Sequence, residues 1–199
     1  IPHSYDNPEK FFQVNVNGTI NLLSACRTFN VKRIIHVSTS EVYGTGQIIP
    51  MNEKHPLNPL STYAVSKLAA DRAAFVFSYE RNIPVVIVRP FNSYGPREII
   101  DPENSHVIGA LILKSLSKKN PFVIWGDGSP VREYIFANDA ARGMILALEK
   151  YCEADPVNLS SGESITIRDL AKKTTGREIE LLCGWGATET APLATSTYF

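Results

Sequence analysis

The sequence predicts an α/β fold in which a parallel sheet is covered by helices on both faces. Predicted strands alternate with predicted helices, and the strands are continuous apolar runs rather than alternating apolar and polar residues. The composition, 44% hydrophobic and 20% charged, is that of an ordinary globular protein. With 199 residues, the chain is long enough for one domain, or for one domain with a small additional lobe.

The first part of the chain predicts two long helices with a strand and a loop between them. Asn7 followed by Pro8 and Glu9 is typical of a helix N-cap, a first-turn proline and a first-turn acid, so a helix is expected from about Pro8 to Phe29. Arg33–Ser38 is a short apolar run that predicts a buried strand. Three prolines predict a loop over Gly44–Leu60.

The second long helix and the elements after it complete the prediction. Ser61 is expected to cap a helix that ends near Arg81, and the β-branched run Pro84–Arg89 predicts the next strand. The later elements are shorter and their loops longer. They are a helix after Ser105, strands at Phe122–Trp125 and Arg132–Phe136 around the turn Gly126–Gly128, a helix over Ala137–Lys150, a strand at Pro156–Ser160 and a short helix after Thr166.

Composition argues against several classes of function. Twenty basic residues balance twenty acidic ones, so neither nucleic acid nor an anionic membrane is expected as a partner. The three cysteines form no CxxC pair and the four histidines are dispersed, so no metal site is expected. No apolar run reaches the roughly 18 residues of a membrane span. Sparse cysteines and the absence of a signal-like N-terminus favour the cytoplasm.

Tyr63 and Lys67 are spaced four residues apart on a predicted helix and therefore share one face. An ammonium near a phenol lowers the phenol pKa, so this pair is suited to taking a proton from a hydroxyl while a hydride leaves the same carbon. By itself the spacing is also compatible with ordinary surface residues of a helix.

Polar residues follow two predicted strands at the edge where α/β sheets bind ligands. Ser38–Gly44 follows the first strand, and a hydroxyl there can share a proton with Tyr63; a simple Ser/Thr-rich turn is the alternative. Arg89–Arg97 follows the second strand, and Arg132 lies beyond the turn Gly126–Gly128. Arginine is suited to bidentate phosphate recognition, although any one arginine can equally be a solvated surface charge.

Together these segments resemble one enzyme family. The ordered segments are NVNGTINLL (15–23), STSEVYG (38–44), YAVSK (63–67), RPFNSYGPR (89–97) and GDGSPVREYIFANDAARG (126–143). Their order and spacing are similar to those of the extended short-chain dehydrogenases, the family of NAD-dependent sugar-nucleotide epimerases, dehydratases and decarboxylases. The resemblance runs from about Ile1 to Gly176 and implies a partial Rossmann-type, doubly wound parallel sheet with a small C-terminal substrate-binding lobe.

The resemblance implies a role for each matching residue. The implied catalytic residues are Thr39, Tyr63 as general acid/base, Lys67 as its activator and Glu41. The implied cofactor-binding residues are Ser38, Tyr63, Lys67, Pro90 and Phe91, with NAD as the cofactor and NADP not excluded. The implied substrate-binding residues are Asn92 and Arg132 at the diphosphate and Trp125 near the base; core packing of Trp125 is the alternative.

Glu41 bears on the type of reaction. The family's 4,6-dehydratases often carry Thr-Asp-Glu here, with the aspartate as acid and the glutamate as base, whereas this chain has Thr39-Ser40-Glu41. The resemblance favours a dehydratase-like lyase that oxidises sugar C4 to a transient ketone. A 4-epimerase, which is an isomerase, or a UDP-glucuronate decarboxylase stays possible.

The resemblance is incomplete at both ends. The family's Gly-rich turn, which holds the cofactor pyrophosphate, is not found, so residues 1–95 are interpreted as the C-terminal part of a cofactor-binding domain and 96–199 as the smaller lobe, with some elements returning to the sheet. The segment after Gly176 does not match the family. Missing strands would expose an edge beside Arg33–Ser38, so we expect this chain alone to be unstable, to aggregate or to pair with another chain.

Two functional hypotheses follow. The first is a sugar-nucleotide epimerase/dehydratase acting on a UDP-, dTDP- or GDP-sugar as a homodimer formed through the two long helices. The second is a catalytically silent relative that serves as a binding or assembly module. The retained Thr39, Tyr63 and Lys67 favour the first, and the missing Gly-rich turn favours the second.

Overall fold

The computed structural model of the protein describes residues 2–101, 105–117, 122–124, 126–151 and 153–176. Trp125 and the atypical tail after Gly176 lie outside these residues. The chain divides into two compact units. The larger contains Ile1–Ser93 and Ile135–Ser160, and the smaller contains Tyr94–Tyr134 and the described residues from Ser161 onward.

The larger unit contains most of the regular structure. Its helices are α1 (Pro2–Asp6), α2 (Pro8–Phe12), a π-helical turn (Gln13–Asn17), α3 (Gly18–Thr28), a 3₁₀ turn (Ser40–Tyr43), α4 (Thr62–Arg81) and α6 (Ala137–Lys150). Its strands are β1 (Ile34–Val37), β2 (Val85–Pro90) and β5 (Val157–Leu159). The predicted helix Pro8–Phe29 is therefore α2, the π-helical turn and α3 in direct succession.

The sheet of the larger unit has the order β1-β2-β5, and all of its strands are parallel. Ile34 lies opposite Val85, and Val88 lies opposite Val157. Every residue of β2 from Val85 to Arg89 is buried, which explains why this central strand is a continuous apolar run ending in a charge. The predicted parallel sheet is confirmed.

Helices cover both faces of this sheet. On one face, Ile34, Val85 and Ile87 pack with Leu23 of α3 and Ala74 of α4. On the other face, Val86 and Val88 pack with Ala147 of α6. Because successive side chains of a strand point to opposite faces, β2 contributes to both clusters and the arrangement is doubly wound.

The ends of the helices follow from local sequence in some places and not in others. The Ser61 hydroxyl accepts a hydrogen bond from the Ala64 N–H, as expected of an N-cap. Asn82 ends α4 in the left-handed conformation. The predicted cap at Asn7 is wrong in one respect: α2 begins at Pro8, but the Asn7 side chain makes no capping hydrogen bond.

The smaller unit contains α5 (Val107–Leu116), α7 (Ile167–Thr175) and strand β6 (Ser164–Thr166); β3 (Asn92–Tyr94) and β4 (Val131–Phe136) begin or end at its boundary. The second sheet has the order β3-β4-β6, with β4 and β6 antiparallel.

The predicted strand over Phe122–Trp125 is wrong for residues 122–124, which have no strand structure. Phe122 and Ile124 are instead buried against Val107 and Leu111 of α5 and Ile167 of α7. Strand β4 finds its antiparallel partner in β6, about 30 residues further along the chain. The apolar residues that suggested a strand are therefore core residues of a helix pair.

None of the described helices is both long and apolar enough to cross a membrane. Over the described ranges, no group of three or more His, Cys, Asp and Glu side chains is placed to hold a metal ion.

Candidate active site

Thr39 and Tyr63 lie together in the larger unit, although 24 residues separate them in sequence. Thr39 follows β1 and caps the 3₁₀ turn, where its hydroxyl accepts from the Glu41 N–H at 3.2 Å. Tyr63 lies in the first turn of α4, with its phenol near enough to Thr39 for hydrogen bonding between the two side chains to lower the phenol pKa. The pairing of a hydroxyl after the first strand with the tyrosine of the second long helix was anticipated from the sequence.

The helical segment before β1 holds the first turn of α4 in place. Asn15 donates to the Ser66 hydroxyl at 2.9 Å, and that hydroxyl donates to the Tyr63 carbonyl at 2.7 Å. The Phe11 ring contacts the Tyr63 ring edge-on, with 6.4 Å between centroids. These contacts hold the backbone of the first turn of α4 and place one aromatic ring against the Tyr63 side chain.

Burial raises the pKa of the Tyr63 phenol above its usual value. The Thr39 hydrogen bond opposes this effect, and the negative charge of Glu41 adds to it. The expectation from the sequence that Lys67 lowers the phenol pKa is therefore wrong in direction, because burial outweighs the effects that lower it. Tyr63 is protonated at neutral pH in this state.

Lys67 lies one helical turn beyond Tyr63, and its ammonium donates to the Val37 carbonyl at 2.6 Å, at the carboxyl end of β1. Burial lowers the pKa of Lys67, and the carboxylate of Asp71 opposes this effect. The lysine therefore presents a half-buried positive charge at the edge of the sheet where α/β folds bind ligands.

The predicted cofactor-binding residues end two neighbouring strands. Ser38 extends β1, with its N–H donating to the Val88 carbonyl at 2.8 Å. Pro90 is the last residue of β2, and the buried Phe91 donates its N–H to the Leu159 carbonyl at 2.9 Å. Ser38, Lys67 and Pro90 thus all lie at the carboxyl end of the parallel sheet of the larger unit.

The predicted substrate-binding residues divide between the two units. Asn92 opens β3 in the larger unit, whereas Arg132 lies on β4 in the smaller unit, half-buried, with Nη1 donating to the Val131 carbonyl at 2.9 Å. Trp125 lies outside the described residues.

A buried polar network beside Lys67 and Pro90 was not predicted from the sequence. Arg89, considered from sequence as a phosphate-binding or surface arginine, instead forms a two-bond ion pair with Asp71. Its guanidinium also donates to the Tyr43 hydroxyl at 3.1 Å. One sequence feature could have indicated this network: Asp71 lies one helical turn beyond Lys67 and two beyond Tyr63, on the same face of the helix.

Gly44 ends the 3₁₀ turn with a positive φ of 67°. A Cβ at this position would lie 1.9 Å from the Asn58 carbonyl oxygen. Only glycine therefore allows the loop after the turn to return so close to the Thr39–Tyr43 segment.

Comparison with known proteins agrees with this geometry. A family model described as the NAD dependent epimerase/dehydratase family matches residues 1–160. A putative UDP-glucose 4-epimerase of Methanocaldococcus jannaschii is 33% identical over 172 residues, which cover 85% of this chain and 55% of that protein. The chain thus spans about half the length of this curated relative.

Two solved structures have the same fold. A UDP-N-acetylglucosamine 4-epimerase from Methanobrevibacter ruminantium, in complex with UDP-N-acetylmuramic acid, superposes with a TM-score of 0.82 at 29% identity, covering 93% of this chain and 61% of that one. A dTDP-glucose 4,6-dehydratase from Bacillus anthracis, in complex with NAD, superposes with a TM-score of 0.77 at 28% identity, covering 88% and 57%.

Proposed function

Because the chain belongs to the NAD dependent epimerase/dehydratase family, we propose that it carries the catalytic residues of an enzyme that oxidises C4 of a sugar nucleotide. The observation that carries this proposal is the proximity of the Thr39 hydroxyl to the Tyr63 phenol, with Lys67 one helical turn beyond Tyr63 and its ammonium at the carboxyl end of β1. Relatives named as 4-epimerases and 4,6-dehydratases both share this fold.

The residues present fit a nicotinamide cofactor. A half-buried ammonium, a phenol and an apolar Pro90–Phe91 segment at one end of a parallel sheet match a ligand with ribose hydroxyls and a flat, mostly apolar ring. Lys67 and Tyr63 would hold the nicotinamide ribose, and Ser38, Pro90 and Phe91 would line the ring pocket. NAD+ held there would supply the acceptor for the hydride that leaves sugar C4.

The chain's own residues supply the proton chemistry. Tyr63 takes the proton of the C4 hydroxyl, and Thr39 donates a hydrogen bond that stabilises the phenolate. The positive charge of Lys67 favours the same ionised form. Because burial raises the pKa of Tyr63 despite the Thr39 hydrogen bond, a further positive charge at the site is needed for Tyr63 to act as a base near neutral pH.

The position of Glu41 supports a dehydratase-like reaction. Its carboxylate lies on the 3₁₀ turn near enough to Tyr63 to raise the pKa of that phenol. A carboxylate beside a newly formed 4-ketone is suited to removing the acidified C5 proton. Elimination of water also requires an acid that protonates the leaving hydroxyl. Ser40, at the position of the family's aspartate, provides no carboxylic acid for this step. Epimerisation or decarboxylation needs no leaving-group acid.

The proposal is tested by calorimetric titration of the chain with NAD+, followed by turnover assays with UDP-, dTDP- and GDP-sugars. Tyr63→Phe should weaken NAD+ binding only modestly, because Lys67 still contacts the ribose, and should lose turnover by roughly 10²–10⁴-fold, since it removes one acid/base group. Tyr79→Phe is the matched control, because Tyr79 is on the same helix and 85% exposed. Failure of the folded chain to bind NAD+ would instead support the catalytically silent binding module.

We also propose that the chain forms a homodimer through the helices around α4. Large apolar side chains are exposed on these helices: Leu22 is 59% exposed and Phe29 is 79% exposed on or just after α3, and Val76 is 46% exposed on α4. Phe75 and Phe77 pack on the sheet cluster, so they do not contribute to this free surface. Exposed apolar surface on neighbouring helices favours association.

Sedimentation velocity tests the dimer. The wild-type chain should sediment as a dimer, and Leu22→Glu should weaken association at least tenfold, because it places a charge in the apolar surface. Ile48→Glu is the control, since Ile48 is 63% exposed but lies in the loop after the 3₁₀ turn. Equal effects of the two substitutions would contradict a helix-mediated dimer.

A further inference from the structure

A fully buried ion pair lies directly behind the proposed catalytic residues. The Arg89 Nε donates to Asp71 Oδ2 at 2.9 Å, and its Nη2 donates to Asp71 Oδ1 at 3.1 Å. The Asp71 side chain is 0% exposed and that of Arg89 is 1% exposed. Taking two charges out of water costs several kcal/mol per ion, so such a pair is retained in a fold only where its geometry and further hydrogen bonds compensate.

The remaining donors of Arg89 extend the pair into a network. Nη1 donates to the Tyr43 hydroxyl at 3.1 Å, and that hydroxyl donates to Asn158 Oδ1 at 2.7 Å. Asn158 in turn donates from Nδ2 to the Met51 carbonyl at 3.1 Å and from its backbone N–H to the Glu53 carboxylate at 2.9 Å. The Arg89 guanidinium therefore binds α4 and the 3₁₀ turn directly, and it is connected through Tyr43 and Asn158 to β5 and to the loop at Met51.

Three residues of this network lie on the segments that carry the proposed active-site residues. Asp71 lies on α4, one turn beyond Lys67. Tyr43 is the last residue of the 3₁₀ turn that Thr39 caps. Arg89 itself immediately precedes Pro90 at the end of β2.

We propose that Arg89 is a positioning residue: by holding Asp71 and Tyr43 at once, it sets the placement of α4 against the turn after β1, and hence of Tyr63 against Thr39. Besides the Lys67–Val37 bond, the charged hydrogen bonds of Arg89 are directional contacts between α4 and this part of the fold, and they constrain relative placement more than apolar packing does. The consequence for catalysis rests on the proposed function, but the placement itself can be measured without cofactor or substrate.

Tyr43→Phe is the most direct test, because it retains the ring and removes the hydroxyl that joins Arg89 to Asn158. NMR titration of the chain labelled at tyrosine Cζ, with Tyr63→Phe to assign the signal, reports the pKa of the Tyr63 phenol. We expect a higher Tyr63 pKa in Tyr43→Phe than in wild type, because the Thr39 hydrogen bond that lowers it is weakened. We also expect kcat to fall about tenfold with KM little changed.

Ser78→Ala is the matched control. The Ser78 hydroxyl donates to the Ile83 carbonyl at 2.7 Å near the far end of α4, so its loss also removes a partly buried hydrogen bond from the same helix. Asn158→Ala is a second test variant that leaves the Arg89–Asp71 pair intact and removes the acceptor of the Tyr43 hydroxyl. The Ser78→Ala chain should keep the wild-type Tyr63 pKa and kcat, and the Asn158→Ala chain should shift both in the direction of Tyr43→Phe.

The outcomes separate this proposal from the proposed function. If wild type fails to bind NAD+ or turn over sugar nucleotides, the proposed function fails while the NMR titration still decides the positioning role. If Tyr43→Phe and Asn158→Ala leave the Tyr63 pKa at its wild-type value, the network is structural only and the positioning role is overturned.

Discussion

His36 makes the stability of this protein depend on pH. The histidine lies on β1 opposite Ile87, on the sheet face that α3 and α4 cover, and its Nε2 is buried without a hydrogen-bond partner. Burial, followed by the nearby positive charge of Lys67, lowers its pKa from 6.5 to about 4; the negative charge of Asp71 acts in the opposite direction. The fold therefore favours neutral His36, and acidification must either charge a half-buried ring whose Nε2 is buried or unfold the chain.

The sign and size of the effect follow from linkage. Between pH 6.5 and about 4, the unfolded chain binds a proton at this site that the folded chain does not, so the free energy of unfolding falls as the pH falls. One pH unit in this window costs about 1.4 kcal/mol, and the full window costs about 3 kcal/mol. This contribution is complete above pH 6.5 and is lost towards pH 4.

Urea unfolding followed by circular dichroism measures this prediction. From pH 7.5 to 4.5, wild type should lose about 2.5 kcal/mol more unfolding free energy than His36→Gln, since glutamine does not titrate. Asp71 adds little to this slope, because its ion pair with Arg89 lowers its pKa and keeps it ionised there. His106→Gln, an exposed histidine, should retain the wild-type slope. A His36→Gln chain that loses stability as steeply as wild type would refute the reasoning.

Two further predictions concern the buried network and the turn beside it. Arg89→Met should lower the free energy of unfolding by about 3–5 kcal/mol, because it leaves Asp71 charged and buried. Arg72, which is 40% exposed and pairs with the same carboxylate, is the control, and Arg72→Ala should lower it by about 0.5 kcal/mol. Similar losses for the two variants in urea unfolding would contradict this prediction. Gly44→Ala should cost about 3 kcal/mol because its Cβ meets a backbone carbonyl, and Gly162→Ala, with equally positive φ but open space, should cost about 1 kcal/mol. Equal melting temperatures for these two alanine variants would show that the loop after Gly44 moves aside.

Much of the larger unit could be predicted because its signals are local. Ser61 is a serine before a long helical segment, and it does cap α4. The apolar run at Val85–Val88 does form the buried central strand. Tyr63 and Lys67 share one helix face because the helix repeat requires it, and both lie at the carboxyl end of the sheet.

The smaller unit was harder to predict because its pairing is not local. Phe122 and Ile124 carry the same apolar signal whether they pair with β4 or pack between α5 and α7. Strand β4 pairs with β6 across about 30 residues, and no turn signal between adjacent strands indicates such a pairing.

The sequence by itself determined the fold class and the order of the long elements, because helix period and strand composition are properties of short segments. Motif order also predicted Thr39, Tyr63 and Lys67 as catalytic residues, and that stays a prediction. The tertiary structure alone decided which charges meet. Asp71 and Arg89 are 18 residues apart, and their burial turned a possible phosphate-binding arginine into the centre of a buried network. The tertiary structure also decided that the Tyr63 pKa is raised, because desolvation depends on everything packed around a group and not on its neighbours in sequence.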